Sequence, residues 1–572
     1  MADQNAAELI KQSDKRWSAR RQLDTFRHEV ALNFAPWHAS WTSPVLLGDD
    51  FAAHLIDGTP LLLARDFIGQ VGSMLRPAGK QWFWHRTAHE ELNNDRGVRE
   101  YLDWRSRQMS RILFDPVTAA HRALKISDEF FGLFGDAVVS VDYGARLDSL
   151  RLSAWHTKDC VWAVGESNKV DTLTRRQNMS ARAIMQRWGK TARKGGKAVP
   201  DAIEQSCEKE PDKEFEIRHC VMPADEYEAY NKGNVKPAKG EFVSVWVSVT
   251  GEQVLAESQQ RTMRYVVPRW VTLPHTQYAI SPATTIALPD ARLIQQQALA
   301  ILEAAEKQIN PPIVANADVV RGDVSLMARG ITWIDRSYDE RNGDALKALE
   351  LGKNFQLGVE SLMRTEHQLT RAFYLDVLRM PDTRQSKSTV EVQFKIDEYV
   401  RAALPLFAPM QVEYNEALLR EVDAMIEMVG GYKVRERPSE LKDLELLFQW
   451  DNPLTDMLER QKATMVGEIS QIGQTIAALE AAAAQAPALK QLDPAKAFRE
   501  SVIGLGASAW LLDEEDAEEE GEQIAQQNKM QGLIAAAPSL AKLVDSGTNA
   551  AQAAAALPNP ASPSMPMLPA PE

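Results

Sequence analysis

The sequence predicts an α+β protein, mostly helical, organised around a column of long helices. Three observations predict it. Apolar residues recur at helical spacing in Pro289–Asn310 and again in Phe355–Leu378. Those two segments flank an insert, 311–351, that opens on Pro311-Pro312. Between Asp136 and Ser258 the pattern changes to short β-prone runs separated by turn residues.

The column comes first because the rest is arranged about it. Ile294, Ala298, Ile301, Ala305 and Ile309 fall on one helical face, Pro289 sits in the first turn where proline is tolerated, and Pro311 stops the helix. At 1.5 Å per residue this helix is roughly 30 Å long. In the second segment Phe355, Val359, Leu362, Leu369, Phe373 and Val377 form a stripe, and Glu360, Arg364, His367 and Arg371 form a polar face. A helix buried inside one chain is apolar over more of its circumference. Ile294, Ile301, Ile309, Leu362, Leu369 and Phe373 are therefore expected to meet other copies of the chain. Pattern alone fits an ordinary αα-hairpin with an insertion in a monomeric domain equally well. A polar interruption, Pro381–Ser388, separates the second helix from a third, Val390–Val429, which Leu404-Pro405 and Ala408-Pro409 should kink.

In chain order, residues 1–35 read as an amphipathic helix, 36–58 as loop, and Thr59–Leu75 as a helix ended by Arg76-Pro77-Ala78-Gly79. Gln81–His85 is aromatic and β-prone; Asn94–Phe114 and Ala119–Phe134 are helical. Short strands follow at Ala137–Val141, Leu150–Leu152, Cys160–Val164 and Val170–Arg175. Ser180 caps a short helix to Trp188, 189–213 reads as exposed, and strands resume at Phe215–Val221, Phe242–Val249 and Val254–Ser258. Beyond Val429, Leu444–Phe448 alternates, Leu454–Ala486, Asp493–Gly504 and Gln523–Val544 are helical, and Ala550–Glu572 is alanine- and proline-rich and expected to be disordered.

Composition bounds the function. The chain has 572 residues, is 44% hydrophobic and 25% charged, and carries a net charge of −14. That balance is ordinary for a globular protein and disfavours tight binding to a phosphate backbone. Asp513–Glu522 alone holds eight acidic residues. The longest apolar run, 61–75, is broken by Arg65 and Asp66 and is too short for a membrane span, and the N-terminus lacks an apolar signal core. Cys160, Cys207 and Cys220 form no CxxC pair and no disulfide framework, which fits synthesis in a reducing compartment.

No catalytic constellation emerges, and no cofactor or metal is expected. Gly189-Lys190-Thr191 imitates a phosphate loop, but Ile184 stands where the earlier glycine is required. His89-Glu90 and His28-Glu29 begin like HExxH zinc sites and fail at Asn93 and Leu32. Gly504-Leu505-Gly506 lacks the strand that a dinucleotide fingerprint needs. His219 and Cys220 are adjacent on a strand and so face opposite ways. Trp82, Trp84, Trp155, Trp162, Trp246 and Trp270 read as core positions. An enzyme is disfavoured.

An ordered set of short motifs then resembles one family, the head-to-tail connector or portal proteins of short-tailed bacteriophages. Ile56–Pro60 with Arg76–Phe83, Phe130–Val141, Val267–Trp270 with Tyr278, Ser281–Ala283 and Ala287–Asp290, Asn310–Pro312, Phe355–Gly358, Arg371–Tyr374, Thr389–Val392 and Asn452–Leu454 occur in the family's order over roughly residues 10–525. Gly58 stands where the family often has serine, and the tail beyond about Glu522 has no counterpart.

The resemblance implies a portal architecture: an α+β wing (1–288), a two-helix stem (289–310 and 352–380), a small α/β clip (311–351), a channel loop (381–389), a kinked wing helix and its connection (390–450), helices of a crown (451–522) and a terminal helix and tail (523–572). It implies a homododecameric ring around double-stranded DNA, without enzymatic activity, at the capsid vertex of the virion after assembly in the host cytoplasm. Implied partners are the terminase large subunit, the major capsid protein and scaffold, tail adaptors and internal ejection proteins, with no membrane. Arg384, Gln385, Ser386 and Lys387 would meet DNA in the channel loop. Arg321, Arg329, Trp333 and Asp335 would dock motor and adaptor at the clip. The rival reading is a soluble helical assembly scaffold or adaptor without a channel.

Overall fold

The protein, described here by a computed structural model, is α+β, with helices packed around antiparallel sheets. The structure describes residues 4–309 apart from 47, 78, 145–148, 167, 190–198, 231–240 and 275, then 313–315, 346–348, 355–378, 398, 401–402, 405, 409–450 apart from 443, 466–467, 469–478 and 494–504. Contacts divide the chain into two units, 1–459 and 460–572. The second unit shows helix within 466–478 and at Pro494–Gly504; a Cβ on Gly473 would sit 3.7 Å from the Phe498 ring, so these two helices touch.

In the first unit the main helices are α1 (Gln4–Phe34), α2 (Thr59–Leu75), α3 (Arg96–Leu113), α4 (Ala120–Phe134), α5 (Leu288–Ile309), α6 (Phe355–Ala372) and α7 (Ala417–Val429). Local chemistry sets their ends. The Asp57 carboxylate accepts from the Thr59 N–H at 2.7 Å, and Pro60 occupies the first turn of α2. Asp95 caps α3 by accepting from Gly97 and Val98. Gly135 ends α4 at φ +87°, where a Cβ would lie 2.8 Å from the Ile280 carbonyl carbon, so only glycine fits.

The strands are β1 (Phe83–Arg86), β2 (Val138–Tyr143), β3 (Leu150–Trp155), β4 (Cys160–Val164), β5 (Val170–Ser180), β6 (Glu214–Pro223), β7 (Phe242–Ser248), β8 (Gln253–Gln260), β9 (Tyr265–Val266) and β10 (Leu447–Trp450). β4 to β8 form one antiparallel meander, and β3-β2-β9 a second sheet. The register sets Arg175 opposite His219 and His219 opposite Trp246. Cys220 faces the other way, into an apolar layer with Ala6 and Leu9 of α1, as expected for adjacent strand positions. β1 pairs with the distant β10, Phe83 opposite Trp450.

Several expectations are corrected. The second column helix does not run to Leu378. It breaks at Tyr374, which adopts φ +55°, and a short turn, Leu375–Leu378, follows. The break lets Phe373, Leu375 and Leu378 all enter the core. The stretch 189–213 is not exposed throughout: Asp201–Lys209 is a helix anchored by the fully buried Ile203. Ala224–Tyr230 is also helical, and π-helical turns at Met185–Gly189, Ala283–Ala287 and Gln411–Glu416 have no counterpart in the sequence reading. Of the six tryptophans read as core, Trp82, Trp162 and Trp270 are buried, whereas Trp84, Trp155 and Trp246 are half-buried. Pro405 and Pro409 are both in helical conformation, while residues 403–404 and 406–408 beside them, the helix Gln523–Val544, the acidic run and the tail lie outside the described residues.

The main core is aromatic: Phe34, Phe67, Phe131, Phe134, Phe373 and Tyr414 are each below 2% exposed. Three buried polar nodes cross it. Arg27 pairs with Asp136 at 2.5 Å. Arg76 pairs with Asp128, donates to Asn415 at 2.9 Å and lies 4.5 Å from the centre of the Tyr414 ring. Arg105 and His85 both hold Asp423, at 2.7 and 3.2 Å, and Tyr432 donates to the same carboxylate at 2.7 Å.

Two histidines make the fold acid-sensitive. Nδ1 of His156 accepts from the Lys158 N–H at 3.1 Å and Nε2–H donates to the His38 carbonyl at 3.2 Å, so the neutral ring is the one the backbone holds. Burial, then the neighbouring His38 charge, pushes His156 down to about 3, and burial among arginines pushes His219 down as well. The unfolded imidazole titrates near 6.5, so the unfolded chain takes up the proton first as pH falls. The stability held at pH 7 is therefore lost progressively below about pH 6.5, and for His156 the loss continues to about 3. His156→Asn is expected to flatten urea-unfolding stability between pH 7 and pH 5 by about 2 kcal/mol; a slope identical to the parent's contradicts the assignment.

Candidate assembly interface

α5 and α6 pack side by side and reach beyond the core. Three devices fix their root. Gln295 on α5 accepts from the Ile56 and Asp57 N–H groups at 2.7 and 2.9 Å and donates to the Asp57 carbonyl at 2.7 Å. Phe373, just past α6, lies between Phe34 and Phe67, with ring centres at 5.3 and 5.2 Å. Arg292 reaches Glu29 of α1 at 2.5 Å. Along the pair, Gly358 faces Ile301: a Cβ there would make van der Waals contact with it at 3.4 Å. Gln297 donates to Ser361 at 3.0 Å across the seam.

Exposure follows from this anchoring. Leu288, Ala291 and Ile294 on α5, and Leu369 with Phe373 on the returning side, are buried within the chain. Three of the six residues expected to meet a neighbour, Ile294, Leu369 and Phe373, are thus spent in the chain's own core, because that end of the pair is wrapped by α1 and α2. Ile301 and Leu362 are half-buried, in keeping with the α5–α6 seam, and Ile309 is 77% exposed. The apolar surface that is free lies elsewhere on the pair: Leu293, Leu299, Leu302, Leu357 and Met363, of which Leu357 and Met363 are 61% and 60% exposed. These leucines were visible in the sequence as apolar residues off the main stripe. Attention to the stripe alone passes over them.

The strands Ile313–Ala315 and Leu346–Ala348 pair antiparallel, Ile313 opposite Ala348, and close the base of the insert between the helices. Arg321, Arg329, Trp333 and Asp335 within it lie outside the described residues, as do Arg384, Gln385, Ser386 and Lys387.

A groove of about 1040 Å³ between α1, α2, α3 and α4 is lined by Phe34, Arg76, Trp82, Phe114, Asp128 and Glu129, among others. Both carboxylates are engaged, Asp128 with Arg76, and Glu129 with Trp37 at 2.9 Å and His38 at 3.4 Å. Burial raises the Cys160 and Cys220 thiols, the former to about 12, away from the thiolate that a nucleophile requires. Among the described residues no group of three metal-ligating side chains occurs, and no helix is long and apolar enough to cross a membrane.

Comparison with known proteins gives this arrangement its context. The family described as "Bacteriophage head to tail connecting protein" matches residues 6–512, nearly the whole chain. The chain belongs to that family. Two relatives carry the same signal. A "Probable portal protein" of Bordetella phage BPP-1 is 24% identical over 393 residues, 66% of this chain and 66% of the relative. A "Portal protein" of Salmonella phage epsilon15 is 21% identical over 477 residues, 82% of each. The chain thus spans about two thirds of the first relative's length and about four fifths of the second's. As a head-to-tail connecting protein it is a structural protein and not an enzyme.

The root and the free surface of the helix pair should respond differently to substitution. Phe373→Ala empties a fully buried site and is expected to cost about 3–5 kcal/mol in chemical unfolding of the dilute chain. Leu302→Asp, at an exposed position, should change the same measurement by no more than about 0.5 kcal/mol. Equal losses for the two would mean that the pair is not divided in this way.

Proposed function

We propose that this chain assembles as a homododecameric ring at one capsid vertex and forms a passive DNA channel for genome packaging and ejection. In this reading 1–288 and 390–450 are the wing, α5 and α6 the stem, 311–351 the clip, 381–389 the channel loop and 451–522 the crown. The clip would dock the terminase large subunit first and tail adaptors afterwards. The observation that carries the proposal is the exposed apolar surface on a helix pair whose root is fixed in the body. Apolar groups left in water at the end of a rigid projection mark an association surface. An association that repeats head to tail between copies closes into a ring when the rotation allows. Membership of a head-to-tail connecting family, and two relatives named as portal proteins, support reading that surface as part of such an assembly.

A channel of this kind has to let a polyanion slide. Each neutralised phosphate adds ionic affinity and therefore drag. The net charge of −14 fits a conduit that does not grip. Arg384 and Lys387 would then provide weak, repeated phosphate contacts in an otherwise polar loop.

Native mass spectrometry of the purified chain should show a closed oligomer of twelve. Replacing Leu302, Leu357 and Met363 together by Asp should leave monomers with an unchanged circular dichroism spectrum. Monomers from the unaltered chain, or rings from the triple variant, would count against the interface. Replacing Arg384 and Lys387 by alanine should leave the ring intact and alter packaged genome length or DNA retention; unchanged length and retention would remove the loop from the mechanism.

A further inference from the structure

We infer that the groove between α2, α3 and α4 receives the apolar and acidic loop 46–51 of a neighbouring copy, so that each copy carries both halves of one head-to-tail contact. The inference rests on the proposed ring and adds to it a second pair of surfaces, away from the projecting helices.

The groove is apolar and carries an excess of positive charge. Phe34, Ile68 and Phe114 supply apolar lining, and four cations, Arg65, Arg76, Lys80 and Lys125, accompany two carboxylates, Asp128 and Glu129. Both carboxylates are already held, one by Arg76 and the other by Trp37 and His38. Arg65 and Lys125 are exposed, and neither has an acidic partner among the described residues. Gly69 lies on the α2 wall, and a Cβ there would meet nothing within 4 Å. The wall is therefore open to an incoming side chain. An open trough along a helix suits an inserted loop better than a small molecule, which a pocket covers on most sides.

The loop has the opposite character. Leu46 is 64% exposed and Phe51 39%. Asp49 and Asp50 stand exposed between them, and no cation pairs with either among the described residues. The loop holds its shape by its own bonds. Asp49 accepts from the Leu46 N–H at 2.7 Å, Asp50 accepts from the Ala52 N–H at 3.1 Å, and His54 donates to the Leu32 carbonyl at 2.7 Å. Large apolar side chains held out in water mark a contact surface.

Within one chain the two halves do not meet. Trp37 and Leu61, on either side of the loop in sequence, line the groove, but no described residue between them does. The later part of the loop is tied elsewhere, at Leu32 of α1 and, through Ile56 and Asp57, at Gln295 of α5. A head-to-tail contact joins two different surfaces of the same chain, and here an acidic projection and a cationic trough are both present. Opposite charges also set which way the halves meet.

The readout is the protein concentration at which half of the chains are in rings, taken from native mass spectra across a dilution series. Asp49→Asn with Asp50→Asn keeps the acceptor oxygens of the turn and removes its charge; it should raise that midpoint about tenfold. Arg65→Gln with Lys125→Gln should raise it to a similar extent. The four changes together should do little more than either pair, because each pair is the other's partner. Gly69→Trp fills the trough at an open position and should raise the midpoint without lowering the melting temperature. Unshifted midpoints, or shifts that add in the fourfold variant, would overturn the contact. A shift from the groove pair alone would mean that a different acidic segment fills the groove, and a shift from the loop pair alone that the loop docks elsewhere; either overturns the pairing. Rings with unshifted midpoints refute this contact and leave the ring standing, whereas monomers from the unaltered chain refute both.

Discussion

The contact on which the body depends is the buried meeting of Arg76 with Asp128, Tyr414 and Asn415. Arg76 ends α2, Asp128 lies within α4, and Tyr414 and Asn415 come from a segment more than three hundred residues after Arg76. Asn415 also donates to the Leu75 carbonyl at 2.9 Å, and Tyr414 donates to Ser127 at 2.6 Å. One cation thus fixes three pieces of chain at one point. Removing a single partner would leave a charge stranded in the core, at a typical cost of about 3–5 kcal/mol. Such a node does not add much net stability over an apolar packing. It specifies which segments meet, because only one register satisfies every donor.

The helix pair inherits its position from that body. Once α1, α2 and α4 are fixed, Phe34 and Phe67 form the slot that receives Phe373, and the 55–58 loop presents the backbone groups that Gln295 reads. The same helices therefore serve two masters along their length. Near the body they are core, and further out they carry leucines and a methionine in water. A stripe calculation treats a helix as uniform along its axis, and this pair is not.

Much of the architecture was legible in the residues. α2 matches its expected bounds, β4 does as well, and Ser180 caps its helix as the sequence suggests. Period, proline and glycine placement carry that information locally. What was not legible depends on contacts far away in sequence. Nothing near Tyr374 announces a left-handed residue; the break exists because Phe373 must turn into a slot built by residues 34 and 67. The helix Asp201–Lys209 has one apolar anchor, too little for a periodicity. Exposure along the helix pair was half legible: Ile294, Leu369 and Phe373 were assigned outward when the body claims them.

The clamped root of the helix pair has a mechanical corollary. A rod held at one end behaves as a cantilever, and a load at its tip produces its largest bending moment at the support. Gln295, Arg292 and Phe373 sit at that support. The stiffness that the projecting tip presents to anything pressing on it is therefore set less by the tip's own residues than by how firmly one phenylalanine and one glutamine are seated in the body.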